Sequence, residues 1–481
     1  MLQLWQHSYR GVMSGIIGAD NRFGRDFNQP DASMQGNIVA LYDIGCVVGS
    51  ILAYFIGEKL GRRMMLISGG TIMIIGTAIL ASSTTIAQLI VGRIVTGIGN
   101  GMNSSTAAVY QSECSPALHR GALLTLEGVV TILGLCIAYW LDYGTSFTDS
   151  PLQWRFPLAF QAVFAVCLVI QVIGLPESPR WLVQQDRHEE ARGVIAALRD
   201  LPELDPQVEI AFLDIQLAVS EESAGGPFRY QELFTGGEIG NFRRILLTIG
   251  IQLMQQFTGA NMINYYAPIV YQKTMGISRN LSLILGGCTS LTYLVGSIIP
   301  VFLIDRLGRR SLLMISSMGL AGCFCIAAGL LSSGNLTAAY AGVAFIFIFQ
   351  LFLGVGWLPV PWFYPAEINT TRLRSRAAAI SSGWNWMSVF AVVKFTPIAI
   401  ESIGWRTFII FAVLNTIWIP IIYCFYPETK GLELEDIDLI FAQGGITGGV
   451  WSNRGYTVKY NQHAEAAGLA HPEKQVFSHQ E

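Results

Sequence analysis

Charged residues are scarce in this sequence: Lys, Arg, Asp and Glu together make up 13% of the 481 residues, whereas hydrophobic residues make up 52%. Water-soluble domains average about 25% charged residues, so the composition excludes an ordinary soluble fold. The net charge of −3 says nothing about nucleic acid, and we predict no nucleic-acid partner.

The sequence also lacks the features of an enzyme or a metalloprotein. Its eight cysteines and six histidines follow neither a disulfide framework nor a metal-ligand spacing. The glycine-rich run 97–101 lies inside an apolar segment, where small residues let helices pack closely instead of cradling phosphate. Residues 1–10 have the wrong order of charge and hydrophobicity for a signal peptide. We therefore predict a non-enzymatic protein without metal or cofactor.

Long apolar runs, by contrast, recur along almost the whole chain. A helix needs about 20 apolar residues to cross a hydrocarbon core of roughly 30 Å, and about twelve segments approach or meet this length. The predicted helices, numbered 1 to 12 in order, are 9–19 (which is short), 37–57, 64–82, 87–109, 121–142, 157–175, 245–268, 281–304, 312–332, 338–364, 376–400 and 405–425. This pattern predicts an all-α protein embedded in a lipid bilayer.

Internal repeats divide these helices into two sets. The basic segment Gly57–Arg63 recurs as Ile304–Arg310, each time between two apolar runs. Two further pairs recur at a similar offset of about 250 residues: Glu113 with Arg120 and Glu367 with Arg374, and Pro176–Ser178 and Pro427–Thr429. Ordered pairs at one offset are typical of the parallel repeats of membrane transporters.

The repeats predict four regions along the chain. They are an N-terminal six-helix domain (1–175), a cytoplasmic linker with short helices (176–243), a C-terminal six-helix domain (244–442) and a disordered cytoplasmic tail (443–481). Within the linker, 187–199 has amphipathic helical spacing. Basic residues are concentrated in the short loops that include Arg62 and Arg309, which places those loops, the linker and both termini in the cytoplasm.

Further motifs occur in order along nearly the full length. They are Gly57–Arg63, Arg93 with Gly97 and Gly99, Tyr110–Gly121, Pro176–Arg180, Gln255–Asn261, Asp305–Arg310, Pro361–Glu367 and Pro427–Gly431. With these motifs the chain resembles the sugar porters of the major facilitator superfamily, most closely the fungal members. The resemblance implies a major facilitator fold of two six-helix domains around a central site that opens alternately to either side. It further implies proton-coupled transport of a hexose or related sugar by a monomer in the plasma membrane.

Polar side chains are densest in predicted helix 7. Polar groups inside apolar helices are costly, and they mark either a functional site or hydrogen bonds between helices. Amides and phenols provide both donors and acceptors, which a neutral polyhydroxylated ligand requires. The resemblance assigns sugar contacts to Gln255, Gln256 and Asn261 on helix 7 and to Trp362 and Asn385 on helices 10 and 11, and the polar stretch adds Tyr265.

Two positions depart from the sugar porter pattern. Gly128 stands where these porters usually place a glutamine on helix 5, and Tyr293 where helix 8 commonly has asparagine. The segments Leu126–Gly128 and Tyr139–Gly144 are similar to the fungal branch that includes glycerol/proton symporters. A polyol is therefore the alternative substrate. A non-transporting sugar sensor is a further alternative, which the short predicted tail disfavours.

Proton coupling depends on the first helix. Symporters of the resembling family carry an aspartate there, near an arginine that corresponds to Arg93, but this chain has Tyr9 at the aspartate position. Either coupling is lost and the chain is a facilitative uniporter, or residues 1–10 are not the true start. We favour the second, because Arg93 without a carboxylate would be costly inside the membrane. Glu127, about 10 Å from the inner end of its helix at 1.5 Å per residue, is a second candidate for coupling.

Charged residues of both signs flank the predicted cytoplasmic helix ends. They are Glu58, Arg62, Glu113, Arg120 and Glu177 in the first half, and Arg309, Glu367, Arg374 and Glu428 in the second. Ion pairs at such positions can hold two domains together in one state and break in the other, as a two-state switch requires. We therefore predict that these residues form an inner gate.

Overall fold

The structure is a computed structural model that describes residues 22–114, 120–224, 229–235 and 240–430, together with the single residues 437, 440, 441, 447 and 450. Predicted helix 1, with Tyr9, and most of the predicted tail lie outside the described residues. Arg120 and Glu127 are placed in a helix, but their side chains also lie outside the description.

The first half of the chain is a series of long helices. Its helices are α1 (Arg22–Asp26), α2 (Ala32–Leu60), α3 (Arg62–Ala81), α4 (Ile86–Cys114), α5 (Arg120–Thr145) and α6 (Leu152–Ile173). The Asp31 carboxylate accepts the N–H of Met34 at 2.8 Å and so caps the start of α2. Each predicted helix from 37–57 to 157–175 has a counterpart in this series.

Glycines allow α2 and α4 to pack with their backbones almost in contact. A Cβ built on Gly45 would lie 2.3 Å from the Ile94 carbonyl oxygen, and one on Gly101 would lie 2.0 Å from the Cys46 carbonyl oxygen. Small residues are what permit this close approach between membrane helices. The packing brings the polar residues of α4 directly against α2.

The linker, for which short helices were predicted, is helical over most of its described residues. It forms α7 (Pro179–Gln184), α8 (His188–Arg199), α9 (Pro206–Ala224) and a 3₁₀ turn, Tyr230–Phe234. The amphipathic segment predicted at 187–199 corresponds to α8, which buries Ile195 against Phe212 of α9 in a small apolar cluster. Helix α9 was not predicted.

Two membrane helices of the second half are broken. The helices of this half are α10 (Asn241–Gln255), α11 (Asn261–Ile269), α12 (Arg279–Leu307), α13 (Arg309–Ser332), α14 (Leu336–Phe352), α15 (Val360–Ile368), α16 (Thr371–Ile403) and α17 (Arg406–Phe425). A π-helical turn at Gln256–Ala260 interrupts predicted helix 7, and another at Leu353–Trp357 interrupts predicted helix 10. A third, Val270–Thr274, follows the predicted end of helix 7. We call the two interrupted segments the broken helix α10–α11 and the broken helix α14–α15.

The described residues contain nine helices that are long and apolar enough to cross a membrane. Helix α4 and the broken helix α10–α11 are of comparable length and carry more polar residues. Together these segments account for every predicted helix from 37–57 onward. No strand occurs in the described ranges, so the predicted all-α class is confirmed.

The repeated basic motif has the same structure in both halves. Gly61 and Gly308 have φ of 84° and 87°, a conformation that favours glycine, and each starts the following helix. The Glu177 carboxylate accepts the first two N–H groups of α3, each at 3.0 Å, and the Glu428 carboxylate accepts those of α13 at 2.8 and 3.1 Å. We call the side of the molecule that carries these two turns the inner side.

The two halves meet chiefly along two helix pairs, α2 with α16 and α5 with α12, and α16 also contacts α4. Toward the outer side, Lys394 of α16 donates to Asn37 Oδ1 and to the Ser33 carbonyl oxygen (3.1 Å) at the start of α2. In the second pair, the ring of Tyr139 lies against Gly286 of α12. A solute path between the halves is therefore flanked by the four helices of these pairs.

Candidate functional site

Four predicted amide side chains form one hydrogen-bonded group. Gln256 Nε2 donates to Gln255 Oε1 (3.1 Å) and to Asn385 Oδ1, and Gln256 Oε1 accepts from Asn261 Nδ2 (2.6 Å). All four side chains are buried. We call these residues the amide cluster; it joins the broken helix α10–α11 to α16.

The π-helical turn Gln256–Ala260 gives the cluster its geometry. Residues five positions apart lie on different faces of an α-helix but approach the same face of a π-helix, so Asn261 can reach Gln256. Gly259 within the turn has φ of 91°, and a Cβ there would lie 2.6 Å from the Phe324 ring. Glycine is therefore needed at this position on both steric and conformational grounds.

Two glutamines of the broken helix also bind backbone carbonyls of the other broken helix. Gln255 Nε2 donates to the Trp357 carbonyl oxygen at 2.6 Å, and Gln252 Nε2 donates to the Pro361 carbonyl oxygen at 2.7 Å. Neither carbonyl can receive the N–H that an α-helix supplies from four positions later, because those residues are Pro361 and Pro365. Gln255 therefore connects helices in addition to belonging to the amide cluster.

A further amide pair extends this polar region: Asn264 belongs to the polar stretch of predicted helix 7, but its partner Gln350 was missed from the sequence. Gln350 Nε2 donates to Asn264 Oδ1 at 2.8 Å, and Gln350 is 1% exposed. Gln350 is the single amide in the apolar stretch of α14, which is the signal that could have identified it.

The predicted aromatic contacts differ in their surroundings. Tyr265 is buried on the same helix as Asn261. Trp362, on α15, keeps 36% of its surface exposed, whereas Trp357 in the preceding turn is fully buried and donates its indole N–H to Ser317 Oγ at 3.0 Å. The two tryptophans of this motif thus have different roles, and Trp357 has the structural one.

Trp386, next to Asn385, links the amide cluster to the first half. Its indole N–H donates to Ser104 Oγ of α4 at 3.3 Å, and its ring packs edge-on against Tyr42 of α2, with centroids 6.4 Å apart. Ser382, one turn away, lies 3.2 Å from Ser50 Oγ. A change at the amide cluster can therefore be transmitted directly to α2 and α4.

Gly128, which stands where sugar porters usually have a glutamine, faces an apolar residue. A Cβ on Gly128 of α5 would lie 3.5 Å from the side chain of Leu358, in the broken helix α14–α15. Tyr293 of α12, at the other departure from the sugar porter pattern, is 5% exposed. At Gly128 and Leu358, the two halves therefore approach each other through apolar atoms.

Arg93 is held against α2 within a buried polar region. Its Nε donates to the Ile38 carbonyl oxygen (3.2 Å) and its Nη2 to the Val39 carbonyl oxygen (3.0 Å), and its guanidinium lies 4.6 Å from the centroid of the Tyr42 ring. The carboxylate of Asp43, on the same helix, interacts with it electrostatically. We expected Arg93 to have no carboxylate nearby unless helix 1 supplied one. That expectation is wrong, because Asp43 of α2 is such a carboxylate. Asp43 was missed, although it is the single charged residue in its predicted apolar run.

Charges of the predicted gate in the first half pair with one another. Arg62 Nη2 lies 3.0 Å from Glu113 Oε1, with side chains only 8% and 9% exposed. Ser178 Oγ donates to the other oxygen of Glu113, and Glu177 caps α3 as described. Helices α3 and α4 run antiparallel, so the arginine that begins α3 lies beside the end of α4.

The second half repeats this arrangement. Arg309 Nη2 lies 3.0 Å from Glu367 Oε1, and Thr429 Oγ1 donates to Glu367 Oε2 at 2.6 Å. Arg374 Nε donates to the Ala366 carbonyl oxygen at 3.0 Å. These charges were expected to pair between the halves. Instead, Arg62–Glu113 and Arg309–Glu367 each form within one half, because each arginine starts a helix that lies beside the helix of its glutamate.

An ion pair between Glu58 of α2 and Arg376 of α16 does join the halves on the inner side, with 3.4 Å between Oε1 and Nη2. Both residues line a pocket of about 40 Å³ together with Arg62 and Tyr54. Arg62, which pairs within the first half, therefore also lies close to the seam.

Residues 2–441 match the protein family described as sugar (and other) transporter. The chain belongs to this family. It is accordingly a multi-pass integral membrane transporter of the major facilitator superfamily and resembles the fungal members most closely.

Three similar proteins of fungi illustrate the relationship. The MFS-type transporter oryC of Aspergillus oryzae is 40% identical over 438 residues, which cover 89% of this chain and 81% of that protein. The sugar transporter STL1 of Saccharomyces cerevisiae is 40% identical over 424 residues, covering 87% and 74%. The high-affinity glucose transporter 1 of Candida albicans is 33% identical over 455 residues, covering 88% and 81%.

The fold is similar to solved structures of the proton:xylose symporter XylE. One of them, bound to 6-bromo-6-deoxy-D-glucose, matches with a TM-score of 0.77 at 22% identity, covering 92% of this chain and 97% of that one. The predicted major facilitator fold is therefore confirmed.

Proposed function

We propose that this transporter moves a sugar across the membrane by alternating access, in symport with protons. The amide cluster is the observation that carries this proposal. Its four amides offer donors and acceptors without a net charge, which suits the hydroxyl groups of a neutral sugar. The names of two relatives, a sugar transporter and a glucose transporter, support the same class of substrate.

Uptake by cells that lack their own sugar carriers tests the proposal. We expect cells expressing the chain to take up radiolabelled glucose or xylose, and Gln256→Ala to reduce that uptake by one to two orders of magnitude, because each buried hydrogen bond lost costs about 1–3 kcal/mol. Gln171→Ala is the matched control, since Gln171 is an exposed amide near the end of α6. Equal loss in both variants, or wild-type uptake in Gln256→Ala, would remove the amide cluster from the binding site.

A polyol such as glycerol is the second candidate substrate. The contact between Gly128 and Leu358 favours it, because an apolar contact stands where a hexose would otherwise meet a glutamine. A site with fewer polar partners on the side of the first half suits a shorter chain of hydroxyl groups. Parallel uptake of glucose and glycerol separates the two candidates.

The remaining assignments of residues follow from this transport model. Tyr265 and Trp362 complete the solute site, Arg93 and Glu127 contribute to proton coupling, and the inner charges act as the gate. Uptake that collapses with the proton gradient supports symport; gradient-independent uptake indicates a facilitative uniporter, and absence of uptake a sensor.

We further infer that the protein is a monomer in the plasma membrane with its inner side in the cytoplasm. The concentration of arginines at the Gly61 and Gly308 turns supports this orientation. Protease protection of a tag placed after residue 235, within the linker, tests it: we expect cleavage in permeabilised cells alone.

A further inference from the structure

Asp43 is a fully buried carboxyl group in the middle of a membrane helix. It is 0% exposed and lies about 16 Å from the start of α2 and about 26 Å from its end, at 1.5 Å per residue. Ionisable groups at this depth are costly and are retained mainly where they carry ions or protons. The packing of α2 against α4 and α16 does not itself require an acid at this position.

The surroundings of Asp43 are polar and titratable. Arg93 from α4 interacts with it electrostatically, and so does Tyr266 from α11. Tyr42 and Cys46 are its titratable neighbours on α2, and Tyr265 of α11 also acts on Arg93. The nearest charged group on α16 is Lys394, which binds α2 farther out, at Ser33 and Asn37.

Arg93 is fixed where it can respond to the charge of this carboxylate. Its two hydrogen bonds to the Ile38 and Val39 carbonyls hold the guanidinium beside Tyr42, the residue that precedes Asp43. An ionised carboxylate therefore faces a positive charge that cannot move far. Protonation removes that attraction in a region of low dielectric, where it is strong.

We propose that Asp43 is the proton-carrying carboxylate of the transport cycle and that Arg93 is its positioning residue. In each cycle one carboxylate oxygen of Asp43 takes a proton from a hydronium ion in the outer water, whose O–H bond breaks as the new one forms. On the inner side the Asp43 O–H bond breaks and a water molecule accepts the proton. This inference rests on the proposed symport function and assigns its proton site.

The contacts of Tyr42 connect this proton site to the solute site. The Tyr42 ring packs on Trp386, whose neighbour Asn385 belongs to the amide cluster. Both α2 and α16 line the seam between the halves. A change in the charge of Asp43 thus acts on the helix pair that must move when the site changes sides.

The test uses the full-length protein in proteoliposomes with radiolabelled glucose and, in parallel, glycerol. Counterflow reports solute exchange without a proton gradient, and accumulation under an imposed inward gradient reports coupling. We expect Asp43→Asn, which mimics the protonated acid, to retain counterflow and to lose accumulation. Asp31→Asn is the matched control, because Asp31 is an exposed acid at the start of the same helix and asparagine can still cap it; it should accumulate like the wild type.

Each other result has a defined meaning. Accumulation by Asp43→Asn, with an accumulating wild type, would overturn the role of Asp43 and leave symport intact. Loss of counterflow together with accumulation would also overturn it, because solute translocation itself would then need the acid. A wild type that exchanges solute but never accumulates it would refute symport and this site together.

If Asp43→Asn does not fold, Asp43→Glu tests whether residue 43 carries the proton. The longer acid keeps a titratable group beside Arg93 but changes its distance, so we expect accumulation to persist with a shifted pH midpoint. An unchanged pH midpoint in Asp43→Glu would overturn the proposal. Counterflow at a single pH serves as the measure that this variant is folded and active.

Discussion

Gln255 donates a hydrogen bond to the Trp357 carbonyl oxygen, 2.6 Å away, at the place where Pro361 provides no backbone donor. The same relationship occurs on α16, where Tyr266 donates its hydroxyl to the Val393 carbonyl oxygen at 3.1 Å. That carbonyl lies four residues before Pro397. Proline in these helices therefore creates an acceptor that a side chain of another helix fills.

One such acceptor connects the two halves of the transporter. The Asn264 carbonyl oxygen, four residues before Pro268, accepts the hydroxyl of Tyr139 at 2.8 Å. Tyr139 belongs to α5 and Asn264 to the broken helix α10–α11. Since a buried carbonyl without a donor is unfavourable, this bond favours the arrangement of the halves in which it forms.

The first prediction concerns the stability contributed by Gln252. We expect Gln252→Ala to lower the free energy of unfolding by about 1–3 kcal/mol, because the Pro361 carbonyl and the Ser381 hydroxyl both lose this donor. Pro365→Ala restores a backbone N–H to that carbonyl. In the Pro365→Ala background, Gln252→Ala should therefore lower the free energy of unfolding by a smaller amount, since only the bond to Ser381 is then lost without replacement. Thermal unfolding in detergent compares the four proteins.

Gln350→Ala in the same two backgrounds is the control for this cycle. Gln350 pairs with the side chain of Asn264, not with a carbonyl exposed by proline. Gln350→Ala should lower the free energy of unfolding by the same amount whether residue 365 is proline or alanine. If the effects of Gln252→Ala and Pro365→Ala on the free energy of unfolding simply add, Gln252 does not act by supplying the donor that Pro365 lacks.

The second prediction concerns substrate size. Gly128→Gln alone should impair transport, because a glutamine side chain would meet Leu358, whose side chain lies 3.5 Å from the Cβ position. Gly128→Gln combined with Leu358→Gly removes that overlap and adds an amide. We expect this pair to raise the ratio of glucose uptake to glycerol uptake. A lowered or unchanged ratio would show that the contact does not set specificity.

Much of the fold could be predicted because its cause is local. A hydrophobic run of sufficient length determines a membrane helix, and the repeated motif around Gly61 and Gly308 determines two equivalent turns. The predicted spans from 37–57 onward accordingly match helices within a few residues. Helix α9 was missed, since only part of its surface packs on α8 and its sequence has little amphipathic character.

The site was less predictable because it depends on which helix faces which. Gln256, Asn261 and Asn385 could be named from the sequence, but the π-helical turn that aligns the first two could not. The pairing of Arg62 with Glu113 within one half depends on antiparallel packing that the motif does not encode. The positions before proline are a signal that the sequence did carry: Pro361 and Pro365 indicate which carbonyls need donors.

The third prediction separates the two kinds of gate charge. Glu113→Gln leaves the buried Arg62 without its ion pair, and breaking a buried pair costs about 3–5 kcal/mol. Glu58→Gln removes a pair in which the glutamate side chain is 55% exposed, and exposed pairs are worth about 0–1 kcal/mol. We expect Glu113→Gln to lower the melting temperature clearly and Glu58→Gln to leave it nearly unchanged.

Glu58→Gln should instead act on the balance between states. A change of up to about 1 kcal/mol corresponds to a factor of up to about 5 in that equilibrium. A cysteine introduced at Ser105, which lines the inner pocket with Glu58 and Arg376, should react faster with a reagent added from the inner side. Slower labelling, or equal melting temperatures in the two glutamine variants, would contradict the assignment.

The last prediction concerns the contact of the linker with α16. Arg372 makes two hydrogen bonds of 2.8 Å to the carboxylate of Glu232, and Leu233 packs near Leu373. The hydrogen bonds from Arg372 hold the pKa of Glu232 below its ordinary value. A depressed pKa means that the contact contributes stability above the ordinary pKa of a glutamate and loses it as pH falls through the lowered value.

Acidification should therefore release the turn Tyr230–Phe234 from the start of α16. Hydrogen exchange of these amides, corrected for the intrinsic effect of pH, should show high protection at neutral pH and reduced protection below about pH 4, the usual range of a glutamate. Arg372→Gln should have the reduced protection already at neutral pH, because no guanidinium then binds the carboxylate. Protection that stays constant with pH in the wild type would mean that Leu233 alone holds the turn, independently of the Glu232–Arg372 pair.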